Sequence, residues 1–535
     1  MKIQLIFFFL WIQFLSISVQ AQVTPSIEWQ KCLGGTYEES ATSIQQTIDN
    51  GFIVAGRTMS NDGDVSGKHG NYDYWLIKLN SEGDLLWQKC LGGSEDDEAN
   101  SIQQTSDTGY IVAGFTFSND GDVTDNHGMY DAWIIKLDES SNLLWQKSLG
   151  GTFNDYATAV REVNDGYIIA GYTGSNDGDV SGWHYGFDDY FGVPYYDAWI
   201  VKLDFEGNIQ WQKCLGGSKD DLAQKILALH DGNYLIVGSS KSNDGDVSGH
   251  HGSEWWPDYW VAEIDSVGNV LWQKSYGSTG DEQASDVIPV SGNQFTISGT
   301  AAGVIDGDIT EVHGWNDCWI LRIDSVGNLL WQKSLGGSYD ELANSIIITS
   351  EGNFVVTGSA GSNDGDVTGN HGSTLSADFW IVQLDSSGTL MWQACLGGTG
   401  VDESFSVYEC TDSTLVVAGY SGSDNNDVSG NHLDYFGNAT QDFWIVKLSN
   451  GIGTGVTQSF FENCFSAFPN PTSTAIYINH EFHDPTLIGI YNLLGEEIKE
   501  QKVFGGNVMI DVCDLPAGIY FIRSKDRTIS KFVKE

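Results

Sequence analysis

The residues best placed to do chemistry recur once per repeat. Asn61-Asp62-Gly63-Asp64-Val65-Ser66-Gly67 is echoed by Asp120-Gly121-Asp122, Asp177-Gly178-Asp179, Asp244-Gly245-Asp246, Asp306-Gly307-Asp308 and Asp364-Gly365-Asp366, and a last copy reads Asn425-Asn426-Asp427. A Ser or Thr stands two residues beyond the second Asp every time. Oxygen groups at positions 1, 3 and 5, closed by a carboxylate at position 12, are how an EF-hand-type loop wraps Ca²⁺. Counting from Asp62, Asp120 and Asp306, position 12 falls on Asp73, Asp131 and Asp317. The expectation is therefore Ca²⁺ held by Asp62, Asp64, Ser66 and Asp73, by Asp120, Asp122, Thr124 and Asp131, and by Asp306, Asp308, Thr310 and Asp317. In the other repeats the loop is longer, and Asp197, Asp258, Asp378 and Asp442 come later. Asp-Gly also favours turns, and Asp bonds nearby backbone N–H groups without any metal, so a structural turn is the competing reading.

One His follows each loop: His69, His127, His184, His251, His313, His371 and His432. Single imidazoles in separate repeats cannot share one Zn²⁺ unless they converge on an axis. A loop-stabilising hydrogen bond is the expectation. Trp183, Trp255, Trp256 and Trp315 lie in these loops rather than in strands, and the third loop adds Tyr185, Phe187, Tyr190, Phe191 and Tyr195. Aromatic residues in polar loops suit stacking on sugar rings or on a protein partner. Packing of a long loop onto its own repeat is the alternative. Catalysis finds little support: there is no Gly-x-Ser-x-Gly elbow and no phosphate-cradling Gly loop.

What positions the loops is a repeated hairpin. Asp131 to Gly151 reads DAWIIKLDESSNLLWQKSLGG, two apolar runs about a polar turn. A Trp-Gln pair stands at Trp29, Trp87, Trp145, Trp211, Trp272, Trp331 and Trp392, and an Asp-x-Trp at Trp75, Trp133, Trp199, Trp260, Trp319, Trp380 and Trp444. Spacings of 58 to 66 residues make this an internal repeat. In the second copy, Ala99–Thr105, Tyr110–Thr116, Asp131–Leu137 and Leu143–Leu149 read as four strands, with Gly150-Gly151 sending the chain onward. Seven such units without helical periodicity predict an all-β fold, a seven-bladed β-propeller. The first Trp-Gln strand, Ile27–Leu33, precedes any unit, and the last unit lacks a fourth strand. The N-terminal strand is expected to complete it and so remove open edges. The loops between second and third strands should share a face with the acidic crossings, among them Glu38-Glu39, Glu95 to Glu98, Asp220-Asp221, Asp281-Glu282, Asp340-Glu341 and Asp402-Glu403.

Net charge is −47, from 25 Lys plus Arg against 72 Asp plus Glu. Such a surface repels phosphate backbones, which excludes nucleic acid as a partner and disfavours anionic membrane. Residues 466–535 hold 7 basic and 9 acidic groups, so the remaining chain carries −45. Residues 1–21 combine Lys2, a largely apolar Leu5 to Leu15 and a small-residue Val19-Gln20-Ala21 end, which reads as a secretory signal peptide. No later stretch is apolar for long enough to span a bilayer, so no transmembrane anchor is expected. Cys32, Cys90, Cys214 and Cys395 occupy a position that holds Ser148, Ser275 and Ser334 in other copies. They are too far apart to bridge and read as small buried residues; Cys464–Cys513 is left as the one weak bridge candidate.

The strands Asp107 to Gly114 (DTGYIVAG) and Asp131 to Asp138 (DAWIIKLD), with their counterparts, resemble the repeat family of secreted bacterial proteins called the SBBP-type β-propeller. That resemblance covers about 27–448 and implies a fold without a fixed activity. A Gly- and Ser-containing linker, 449–465, follows. Residues 466–535 open with Phe468-Pro469-Asn470-Pro471 and continue through Ile490-Tyr491-Asn492-Leu493-Leu494-Gly495 and Leu515-Pro516-Ala517-Gly518-Ile519-Tyr520 to a basic end. Short alternating strands predict a small β-sandwich. The segment resembles the C-terminal sorting domain of type IX secretion in the Bacteroidota, which implies the type IX machinery as a partner and a secreted or cell-surface location. The reading is thus a monomeric propeller at 22–448 that binds a glycan or a surface protein, with Ca²⁺ shaping its acidic face. A polysaccharide hydrolase or lyase using the same face is the alternative.

Overall fold

The computed structural model describes residues 24–187, 192–372 and 376–449 and, further on, 467–468, 474–478, 482–492, 497–505, 508–516, 518–524 and 527–534. The expected signal peptide, most of the linker, Pro469 to Pro471, Tyr190, Phe191 and Cys464 lie outside the described residues. Two units are separable, 1–452 and 453–535.

The first unit is all-β. Strand β1 (Ile27–Leu33) is followed by β2 (Glu39–Gln46), β3 (Phe52–Thr58), β4 (Asp73–Leu79) and β5 (Leu85–Leu91), and the last four form one antiparallel sheet in sequence order. The same sheet recurs at Asp97–Leu149, Asp155–Leu215, Asp221–Tyr276, Glu282–Leu335 and Glu341–Leu396. The seventh takes its inner three strands from Asp402–Leu448 and its fourth from β1, with Ile27 opposite Leu448 and Cys32 opposite Trp444. We call these sheets blades one to seven.

Burial follows the order of strands within a blade. Strands β3 and β4 are buried almost throughout, whereas β5 alternates exposed and half-buried positions before ending buried. The Trp of Asp-x-Trp is the anchor: Trp75, Trp133, Trp199, Trp260, Trp319, Trp380 and Trp444 are all at most 2% exposed. At ~25 cal/mol per Å², each such indole contributes roughly 4–6 kcal/mol of apolar burial. Cores form between blades: Tyr74 and Leu76 of blade one pack with Val112 and Trp133 of blade two. Phe52 and Trp75 of blade one likewise share a core with Val416, Phe443 and Ile445 of blade seven. Every inner strand carries a bulge after its third residue, as at Ala41/Ser43 and Ala99/Ser101.

The second unit has a three-stranded sheet, Ala467–Phe468, Ala475–Ile478 and Val508–Asp511, and a four-stranded sheet from Phe482–Tyr491, Glu497–Gly505, Gly518–Ser524 and Arg527–Lys534. Ile476 and Ile510 from the first meet Ile488, Ile490, Tyr520 and Ile522 from the second in one core, which is a sandwich. The strand Glu497–Gly505 was not expected, because EIKEQKVFG has no apolar alternation strong enough to announce it.

Candidate functional site

The loop between second and third strands is tied down residue by residue. In blade one, Asp62 accepts hydrogen bonds from Thr36 N and Oγ1, both at 2.9 Å, and so caps the crossing strand. Asp64 accepts from Gly34 N at 3.2 Å and returns its own N–H to Gly34 O at 2.8 Å. Ser66 Oγ accepts from Gln88 Nε2 at 2.6 Å. Asp73, fully buried, accepts at Oδ2 from His69 N at 2.8 Å and Nδ1 at 3.0 Å. Blade two repeats this with Asp120 to Ser94 N, Asp122 to Gly92 N, Thr124 to Gln146 and Asp131 to His127. Blade five does so with Asp306 to Thr279, Asp308 to Gly277 N, Thr310 to Gln332 and Asp317 to His313.

Each of the four positions of the expected Ca²⁺ wrap thus has its own protein donor: Thr36, Gly34, Gln88 and His69 in blade one. Among the described residues no three His, Cys, Asp or Glu side chains are grouped to hold an ion by themselves. The His expectation agrees with what is found, a hydrogen bond that fixes the loop.

The Trp-Gln signature completes the network. Trp75 Nε1 donates to Gln88 Oε1 at 3.0 Å, and the same amide donates onward to Ser66. Trp133–Gln146, Trp199–Gln212, Trp260–Gln273, Trp319–Gln332 and Trp380–Gln393 match it at 2.7–3.2 Å. In blade seven the partner of Trp444 is Gln30 of β1, at 2.6 Å, which also donates to Asp427 O and Ser429 Oγ. A buried indole N–H needs an acceptor, and the Gln supplies it while holding the loop.

Carboxylates at the crossings divide into two kinds. Glu38 and Glu95 are exposed, but Glu39, Asp97, Asp155, Asp221, Glu282, Glu341 and Asp402 are fully buried at the start of each inner strand. The expected acidic face is thus partly interior. Asp155 accepts from Gly151 N at 2.7 Å, Ser175 Oγ at 2.9 Å and Thr173 Oγ1. It also faces Asp131: a methyl group on Gly150 would lie 2.6 Å from Asp155 Oδ2 and 2.7 Å from Asp131 Oδ1, so only glycine fits between them. Burial pushes Asp155 up to about 7, against its hydrogen bonds and with help from Asp131. Asp221 and Glu282 rise to about 7 for the same leading reason. Oδ1 of Asp131, Asp197, Asp258 and Asp378 is buried and accepts no hydrogen bond among the described residues.

The loop aromatics behave differently from one another. Trp183 is half-buried, donates Nε1 to Tyr195 O at 3.0 Å and meets Tyr185 and Phe187 edge-on, so it packs its own loop. Trp255, Trp256 and Trp315 are 71%, 51% and 67% exposed. Tyr435 and Phe436 of blade seven, 95% and 83% exposed and in edge contact, were missed in the sequence. At the hairpin ends, away from these loops, a cleft of about 750 Å³ opens between blades three and four beside Trp211 and Tyr234.

Over 230 residues the chain is 27% identical to the regulatory protein FlaEY of Caulobacter vibrioides, covering 41% of this chain and 24% of that protein. An uncharacterised WD repeat-containing protein of Acanthamoeba polyphaga mimivirus is 19% identical over 436 residues, with 64% of this chain and 31% of that protein covered. The chain therefore spans about a quarter to a third of the length of these relatives. Among solved structures, the WD40 β-propeller domain of Doa1 is similar at 10% identity and TM-score 0.42, covering 80% of this chain and 97% of that one. Sqt1 from Chaetomium thermophilum is similar at 10% identity and TM-score 0.40, covering 79% and 99%. Residues 466–535 match the secretion system C-terminal sorting domain, and the chain carries the mark of proteins exported by type IX secretion to the cell surface or beyond.

Proposed function

We propose that the propeller is a ligand-binding module presented outside the cell, with a glycan or a surface protein as its ligand and the loop face of blades four and five as the contact. The observation that carries this reading is the exposure of Trp255, Trp256 and Trp315 on loops whose turns are bonded to the frame through Ser248 and Thr310. Rigid, solvent-facing indoles offer large contact area at little entropic cost. A divalent cation such as Ca²⁺ on the surrounding carboxylates is part of the same reading, supported by the charge density alone. The test is a screen of the mature chain against neutral and acidic polysaccharides and surface-protein extracts, following binding and reducing-end release together. Binding that disappears in Trp255→Ala/Trp256→Ala without product release supports the module. Product release that depends on one acidic residue replaces it with a hydrolase or lyase.

A further inference from the structure

The seven imidazoles carry an arrangement that the loop-fixing role does not use up. Each His Nδ1 lies 2.6–3.2 Å from Oδ2 of a buried Asp that also accepts the same residue's backbone N–H. An oxygen already accepting from an amide makes Nδ1 the protonated ring nitrogen, an assignment from the hydrogen-bond network. In the neutral ring Nε2 is then a lone-pair site, and it points across the blade junction. His127 Nε2 lies 3.9 Å from Asp179 Oδ2, and His184 Nε2 lies 3.7 Å from Asp246 Oδ2. Junctions four to five, five to six, six to seven and seven to one repeat this at 3.7–3.9 Å. Two acceptors therefore face each other at a distance too long for a hydrogen bond.

Three further features favour an ion between them. Both side chains are about one-third exposed, so water and ions reach them. At the junction of blades seven and one, a methyl group on Gly63 would lie 3.1 Å from His432 Nε2, so the glycine leaves that nitrogen open. A buried carboxylate behind the imidazole, as Asp131 is behind His127, raises ligand basicity and fixes the ring in the way second-shell partners do at metal sites. Imidazole with carboxylate suits borderline divalent ions such as Zn²⁺ and Co²⁺ rather than Ca²⁺, which takes oxygen ligands. Moving the Asp179 carboxylate by a few tenths of an ångström brings both groups to about 2.0–2.2 Å from one ion.

We propose that His127 Nε2 with Asp179, and the corresponding pair at each of the other described junctions, forms a two-ligand site for a borderline divalent metal ion, completed by water or by a donor from a bound partner. This does not depend on what the aromatic loops bind. The experiment strips the full mature chain with EDTA and titrates Co²⁺ near neutral pH, following visible absorption, with Zn²⁺ counted by equilibrium dialysis. The expected result is nitrogen-ligated Co²⁺ absorption, several ions per chain, and a count lower by one in Asp179→Asn and separately in Asp246→Asn. Melting curves establish that each variant folds, and the wild-type absorption stands whether or not they do. Absence of Co²⁺ absorption up to millimolar ion overturns the proposal. So does binding of Ca²⁺ alone, an ion count unchanged in folded variants, or ¹⁵N shifts showing Nε2 protonated above neutral pH, which would make the imidazole a cationic strut between blades.

Discussion

One loop, seen in its two parts, sets the residues that join the blades apart from those left in solvent. The stretch Asp62 to Ser66 and its counterparts are bound to the crossing and to the Trp-Gln strand, with nearly the same partners in every blade. The stretch between that turn and the third strand differs from blade to blade, and there Trp255, Trp256, Trp315, Tyr435 and Phe436 stand in solvent. The turn is bonded alike in every blade, whereas the later stretch ranges from Trp183, packed on its own loop, to Trp255, which stands in solvent. Seven-fold residues in such a ring therefore report on the frame, and the single residues are where the proposed binding is to be tested.

Four measurements bear on that contrast. The largest effect is expected from deleting residues 22–35, which strips the outer strand from blade seven and removes Gln30 from Trp444 and Ser429. Two sheet edges open at once, and the chain is expected to lose its cooperative melt or to associate. A monomer that melts like the full chain would show the seam to be dispensable. Next, Gln146→Ala leaves a fully buried Trp133 indole N–H without its acceptor and frees Thr124. Denaturant unfolding is expected to show a loss of about 1–3 kcal/mol, and a loss near zero would mean water replaces the amide.

The third measurement is a melting profile against pH in EDTA. Asp155, Asp221 and Glu282 titrate in the folded chain at about 7, chiefly through burial, whereas unfolded carboxyls titrate near ~4. Between those values the folded state holds the extra protons, so unfolding becomes easier as pH rises. Their contribution is complete below about pH 4 and gone above the folded values. The melting temperature is expected to fall from acid to neutral pH, less steeply in Asp155→Asn. A rising profile would place the buried carboxyls in their ionised form. The smallest effect on stability is expected from Trp255→Ala with Trp256→Ala, within about 0.5 kcal/mol because both are surface positions. A larger loss would move these indoles from the ligand side of the comparison to the frame.

Much of the frame was legible. Tyr110–Thr116, Asp131–Leu137 and Leu143–Leu149 were bounded from apolar pattern and turn residues as they occur. The inner strand was not: it begins at Asp97, not Ala99, because a carboxylate reads as loop until Gly93, Thr116 and Ser118 are seen to satisfy it. Spacing also suggested a wrapped cation at Asp62 to Asp73, and what it could not show is that Asp62 and Asp64 also bond the crossing at Thr36 and Gly34. The role of the Gln was invisible, because its donor and its acceptor lie in other elements. Cys90, Cys214 and Cys395 are free and buried as their alternation with Ser implied, Cys32 on the closing strand is free but only half-buried, and Cys513 is free and exposed. Burial pushes the Cys90 thiol up to about 12, so it is inert as a nucleophile at neutral pH.

The seam between β1 and blade seven also sets an order of events. Ser26 and Ser449, bonded at 3.0 Å, are 423 residues apart in the chain. A polypeptide delivered from its N-terminus has β1 in hand first and its partner last, so this pairing waits on every intervening blade. Long sequence separation makes such a contact slow to form. Any fragment that stops short of Asp442 retains an unsatisfied strand and cannot become the mature ring. Completion is thereby a test of full length, applied by the molecule to itself.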